Sequence, residues 1–128
     1  ESTRFSPIYD SGCCLAREKN DDEIQLMNKD IQLIEKYINK GKSEIHWDEK
    51  KVTHFNLVEL LLNDYADIVK NRIKKVKENF DANNIISLVN NIDANLPDFC
   101  NEYKLTKERK EVIIKIVNLR IEKLLSLL

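Results

Sequence analysis

Apolar residues recur at helical spacing along most of the chain. Ile24, Met27, Ile31, Ile34 and Ile38 fall three or four apart, and Leu26, Leu33 and Tyr37 widen the stripe. At 100° per residue the apolar arc spans roughly 160°, wider than the ~100° of an ordinary surface helix. The pattern predicts a helix that touches more than one neighbour. Asp21 and Asp22 stand at its start, where carboxylates favour the helix dipole, and Gly41 stands where a C-cap belongs. A second periodic stretch carries Leu57, Leu60, Leu61, Ile68, Val69, Ile73 and Val76 to about Phe80. Thr53 or Asn56 is its expected cap, and a break is expected near Asn63-Asp64. Between the two, "KSEIHWDEKKV" (42–52) reads as a loop or short strand, with Ile45 and Trp47 on one side if extended.

Residues 83–92 predict a short third helix, which Asn95-Leu96-Pro97 interrupts. Thr106 is a good N-cap for a last helix running to the C-terminus. On that helix Ile113, Ile116, Val117, Leu124 and Leu127 surround Arg120. Burying an unpaired charge costs on the order of several kcal/mol. Arg120 is therefore expected to pair with an acid on a facing helix, Glu59 or Asp64 first, or with carbonyls at a helix end. The alternative is a side chain that snorkels its head to water.

The opening breaks this pattern. "FSPIYDSGCCL" (5–15) is apolar and carries Pro7, so residues 5–9 predict a short strand at an edge or irregular position. Asp10-Ser11-Gly12 is a turn by composition. The expected fold class is thus all-α, a helical bundle-like lobe over 1–128 with an extended segment in residues 1–21.

Composition narrows the function classes. The chain has 128 residues, 34% of them charged, with a formal net charge of −1, so no global field recruits nucleic acid or an anionic membrane. No apolar run approaches the ~20 residues of a membrane span, and the start lacks the layout of a signal peptide. Three cysteines, two of them adjacent, do not make a disulfide framework, which favours reduced thiols and a cytoplasmic location. The chain opens at Glu1 inside a structured-looking segment, which suggests a piece of something longer.

Few residues carry chemistry. Asp10 sits on a turn straight after an extended segment, a common way to hold Mg²⁺, although Asp-x-Gly is also ordinary turn chemistry. His46 and His54 are eight apart with no zinc-ligand pattern around them. Glycine is nearly absent, so no phosphate-cradling loop exists. Lys70, Arg72, Lys74, Lys75 and Lys77 flank a helical apolar stripe and read as a solvated face rather than a phosphate-contacting patch.

At "FSPIYDSGCCLARE" the sequence resembles the HipA-like serine/threonine kinases, the family of bacterial toxin kinases and their relatives. There a segment of the form (F/L)-x-P-(I/L)-Y-D-(S/N)-G-x-S-L follows the catalytic loop. "KSEIHWDEKKVTHFNLVELL" and "ERKEVIIKIVNLRIEKLLSLL" resemble the C-terminal helices of smaller members. The chain departs from the pattern at Cys14, where serine would precede leucine. The resemblance implies that Asp10 is the metal-binding aspartate, with Mg²⁺ and ATP as cofactors of the full-length protein. It also implies that the phosphate lysine, the covering loop and the catalytic loop lie upstream, so no catalytic or nucleotide-binding residue is assigned within this chain. The expected partners are the rest of the kinase chain and an antitoxin or a second copy meeting exposed apolar surface. The alternative is a stand-alone helical protein-protein interaction module in which Asp10 is only a turn residue.

Overall fold

The computed structural model describes residues 15–128. After a turn at residues 15–18, helices α1 (Asp21–Lys29) and α2 (Ile31–Lys40) lead into a hairpin of β1 (Lys42–Trp47) and β2 (Lys50–Thr53). Then come α3 (His54–Asn79), α4 (Ala82–Asn91), a 3₁₀ segment (Asp98–Tyr103) and α5 (Lys107–Leu125).

The stripe between Ile24 and Ile38 is divided between two helices rather than carried by one. Asp30 divides them. Its backbone is extended (φ −125°, ψ 105°), its N–H donates to the Leu26 carbonyl at 3.0 Å, and its carboxylate accepts from the Gln32 N–H. A short acidic side chain that can bond the backbone two residues on ends one helix and caps the next. The wide arc follows from this break. Ile24, Met27, Ile34 and Ile38 are buried, whereas Leu26, Ile31 and Leu33 stay exposed.

Of the two readings of residues 42–52, loop or short strand, the strand holds, as β1 and β2, so the molecule is predominantly helical but not all-α. They pair antiparallel, with Trp47 opposite Lys50 and an irregularity between Lys42 and His46. Asp48 and Glu49 join them with φ of 46° and 63°. A two-residue loop with both φ positive matches the twist of a hairpin. Gly41 ends α2 with φ −57°, outside the left-handed region. Its lack of a side chain has another cause: a Cβ there would lie 3.0 Å from the His54 ring, while the His54 N–H donates to the Gly41 carbonyl.

Thr53 caps α3 by accepting from Asn56 N–H, and the helix kinks at Tyr65 (φ −136°, ψ 42°), next to the expected break. Asp81 caps α4 and Thr106 caps α5. Helix α5 touches all four others. Its Val112 and Ile116 join Ile24, Met27, Ile34, Ile38 and Ala16 in one cluster, with Leu15, Tyr37 and Leu119 packed on its margin. Full burial of an isoleucine such as Ile34 or Ile116 contributes ~1.5–3 kcal/mol. Among the described residues no helix is long and apolar enough to cross a membrane.

Candidate functional site

Asp10, Cys13 and Cys14, with the strand expected at residues 5–9, lie outside the described residues. The described chain begins immediately after them, at a turn whose backbone is held under constraint. Leu15 and Ala16 both have positive φ, 65° and 60°. A side chain in the left-handed region costs ~1–2 kcal/mol per residue, so the surroundings must impose it. They do so by burial and by two helices, with a further bond inside the turn. Ala16 is fully buried. Its N–H donates to the Tyr37 hydroxyl of α2 at 3.0 Å. Its carbonyl accepts from Arg109 of α5 at 3.2 Å and from Lys19 N–H at 3.1 Å.

Arg109 spreads its fork over this segment. It also donates to the Lys19 carbonyl at 2.8 Å and to the Asp21 carboxylate at 3.0 Å. Its side chain is 16% exposed and that of Asp21 is 74% exposed, so the two carbonyl contacts matter more than the rim ion pair. Directly after the turn, Asn20 and Glu23 close a reciprocal capping box, and Lys19 pairs with Glu23 at 3.0 Å. The Lys19 bond, with the Asn20 N–H, lowers the Glu23 pKa, and the same bond raises that of Lys19.

The docking arginine of α5 is therefore Arg109, where the pattern of apolar positions pointed to Arg120. Arg120 is half-buried and forms no hydrogen bond or ion pair among the described residues. Glu59 and Asp64, its expected partners, are exposed. The physical reason is position along α5: Val112 and Ile116 meet the core, and Arg120, one turn further along the same face, lies where α1, α2 and the hairpin leave an opening. The sequence did hold a sign of Arg109. Arg109 and Lys110 occupy the first turn of α5, where the dipole disfavours cations. Both have specific partners, since Lys110 donates to Asp93 at 2.5 Å and to the Asn90 carbonyl at 2.9 Å.

The opening beside Arg120 is a cavity of about 720 Å³. Leu26, Met27, Leu33 and Tyr37 form its apolar wall, and the Tyr37 ring is fixed by its bond to Ala16. Lys36, Lys40 and Lys42 stand on the rim, with His54 at the α2–hairpin corner. The acids of the rim include Glu18, Glu23 and Glu44, of which Glu23 is paired with Lys19 and Glu44 with Lys51.

The remaining sequence candidates are placed separately. His46 lies exposed on β1, and His54 starts α3. Among the described residues no group of three or more His, Cys, Asp or Glu side chains is placed to hold a metal ion. Lys70, Arg72, Lys74, Lys75 and Lys77 are exposed along the second half of α3, with Ile73 buried beneath them. No family model matches the chain, and neither a curated protein nor a solved structure does.

Proposed function

We propose that this chain is the C-terminal helical lobe of a HipA-like serine/threonine kinase, a scaffold that presents the Asp10 carboxylate to a site completed by upstream sequence. The motif "FSPIYDSG" carries the resemblance. The observation that best supports a scaffold role is the anchored turn at Leu15 and Ala16, five residues beyond Asp10. A carboxylate that positions a metal gains from a rigid support, because small displacements are costly in phosphoryl transfer. Here α2 grips the Ala16 N–H and α5 grips its carbonyl, so the exit of the motif segment is fixed to the core.

Under this reading Mg²⁺ and ATP bind where Asp10 meets the upstream kinase sequence, as the resemblance implies. Asp10 would hold Mg²⁺ in that site, and the ion would supply charge neutralisation for phosphoryl transfer. The test is calorimetric titration of ATP–Mg²⁺ into the longer protein and into residues 1–128 alone. Saturable binding by the longer protein and none at micromolar concentration by this chain is expected. Micromolar binding by this chain alone contradicts the reading.

A second reading has its own observation. Leu88, Ile92, Phe99 and Tyr103 stand at 60–83% exposure along α4 and the 3₁₀ segment. Exposed apolar surface of this kind suits an interaction module, whose partner would be an antitoxin, another protein or a second copy. Under the first reading the rest of the kinase chain covers it.

A further inference from the structure

We infer that the cavity between α1, α2, the hairpin and α5 binds a small amphipathic anion, a molecule with a carboxylate or phosphate head and an apolar body. The inference is independent of the kinase reading. It starts from a charge imbalance. The whole chain carries a formal charge of −1, yet the cavity is bordered by Lys19, Lys36, Lys40, Lys42 and Arg120 against Glu18, Glu23 and Glu44. Two of those three acids are already neutralised, Glu23 by Lys19 and Glu44 by Lys51. Lys36, Lys40, Lys42 and Arg120 enter no ion pair among the described residues. Four unpaired cations at one opening focus a positive potential there.

Arg120 selects a bound ligand over loose counterions. It is half-buried in an apolar arc, and its fork finds no acceptor among the described residues. A planar guanidinium suits bidentate capture of a carboxylate or phosphate, and the bond is stronger when water is displaced. The body of the ligand is set by the apolar wall. Leu26 is 59% exposed and Leu33 37% exposed beside the fixed Tyr37 ring. Covering them removes apolar surface from water, which a bare inorganic anion cannot do. The volume of about 720 Å³ falls within the roughly 300–1,000 Å³ of small-molecule sites.

The test uses 1-anilinonaphthalene-8-sulfonate fluorescence on the folded chain, with displacement by dodecanoate, dodecyl phosphate, dodecanol and inorganic phosphate. Saturable one-to-one binding of the dye is expected, with displacement by dodecanoate or dodecyl phosphate. Whichever head displaces at lower concentration identifies the class. Dodecanol has the body without the charge and inorganic phosphate has the charge without the body, so both should displace far more weakly. Arg120→Ala should weaken binding at least roughly tenfold, the loss of one charge-assisted contact. If that variant fails to fold by circular dichroism, Lys40→Glu on the exposed rim takes its place with the same expectation. Lys75→Glu, on the distant face of α3, should bind as the parent does. Equal displacement by dodecanol, unchanged binding in the folded Arg120 or Lys40 variant, or no saturable binding each overturns the inference.

Discussion

Arg109 does at the residue scale what a cation at a helix N-terminus ordinarily does not: it stabilises the fold. It holds the carbonyls of Ala16 and Lys19, which the turn leaves facing the interior. Arg109→Ala should lower unfolding free energy by ~1.5–3 kcal/mol, the range for hydrogen bonds to a charged group. Arg109→Lys should recover only part of this, because one ammonium cannot reproduce a fork over two carbonyls and a carboxylate. Urea denaturation of the three proteins checks both. Asp93, like Ser43, is a polar residue that the interior encloses. It accepts from Lys110 and from Leu105 N–H, tying the end of α4 to the start of α5. The Lys110 bond is the main cause of its lowered pKa, against the opposing effect of desolvation. The folded state therefore binds this proton less tightly than the unfolded state does. The stabilisation is present above the ordinary aspartate pKa of about 3.9 and is lost as pH falls through the lower folded value. The melting temperature should fall on acidification below about pH 4. Asp93→Asn should flatten that fall while lowering stability at neutral pH, since Lys110 loses its charge partner. Thermal melts across pH 2–7 decide it.

At the scale of elements, helix identities and caps were legible because they depend on local chemistry. Thr53 and Thr106 cap as expected, and α4 lies within a residue of its predicted span. The break at Asp30 was not legible from apolar periodicity, since the stripe continues through it and only a polar cap interrupts the backbone. Arg109 was only faintly marked: its partners are backbone carbonyls about 90 residues away, and the one sign of them is a cation in the first turn of α5, against the dipole. The hairpin was half legible. Ile45 and Trp47 suggested extension, but Asp48-Glu49 is an unfavourable loop for it. Both residues adopt positive φ, which Asn-Gly accepts with less strain. Replacing Asp48-Glu49 by Asn-Gly should raise stability by ~0.5–2 kcal/mol, in the usual range for relieving such a site. An unchanged or lower melting temperature contradicts this account of the loop.

For the whole molecule, α5 is the organising element. It contacts the other four helices, contributes Val112 and Ile116 to the core and anchors the turn that follows the Asp10 motif. Under the proposed reading, the turn after the Asp10 motif is therefore supported from the opposite end of the sequence. Helix α5 also separates two faces. One is the cation-lined cavity beside Arg120, and the other is the apolar surface of Leu88, Ile92, Phe99 and Tyr103. The kinase reading depends on neither face but on Asp10. The most direct measurement is phosphoryl transfer from ATP by the longer kinase that the proposal supposes, parent against Asp10→Asn, with melting temperatures recorded in parallel. The substitution keeps a turn-forming side chain and removes the charge that would meet Mg²⁺. Loss of transfer with an unchanged melting temperature is the predicted result. Near-normal turnover in the folded Asp10→Asn protein, or no transfer by the parent, would contradict the assignment of this chain to a kinase.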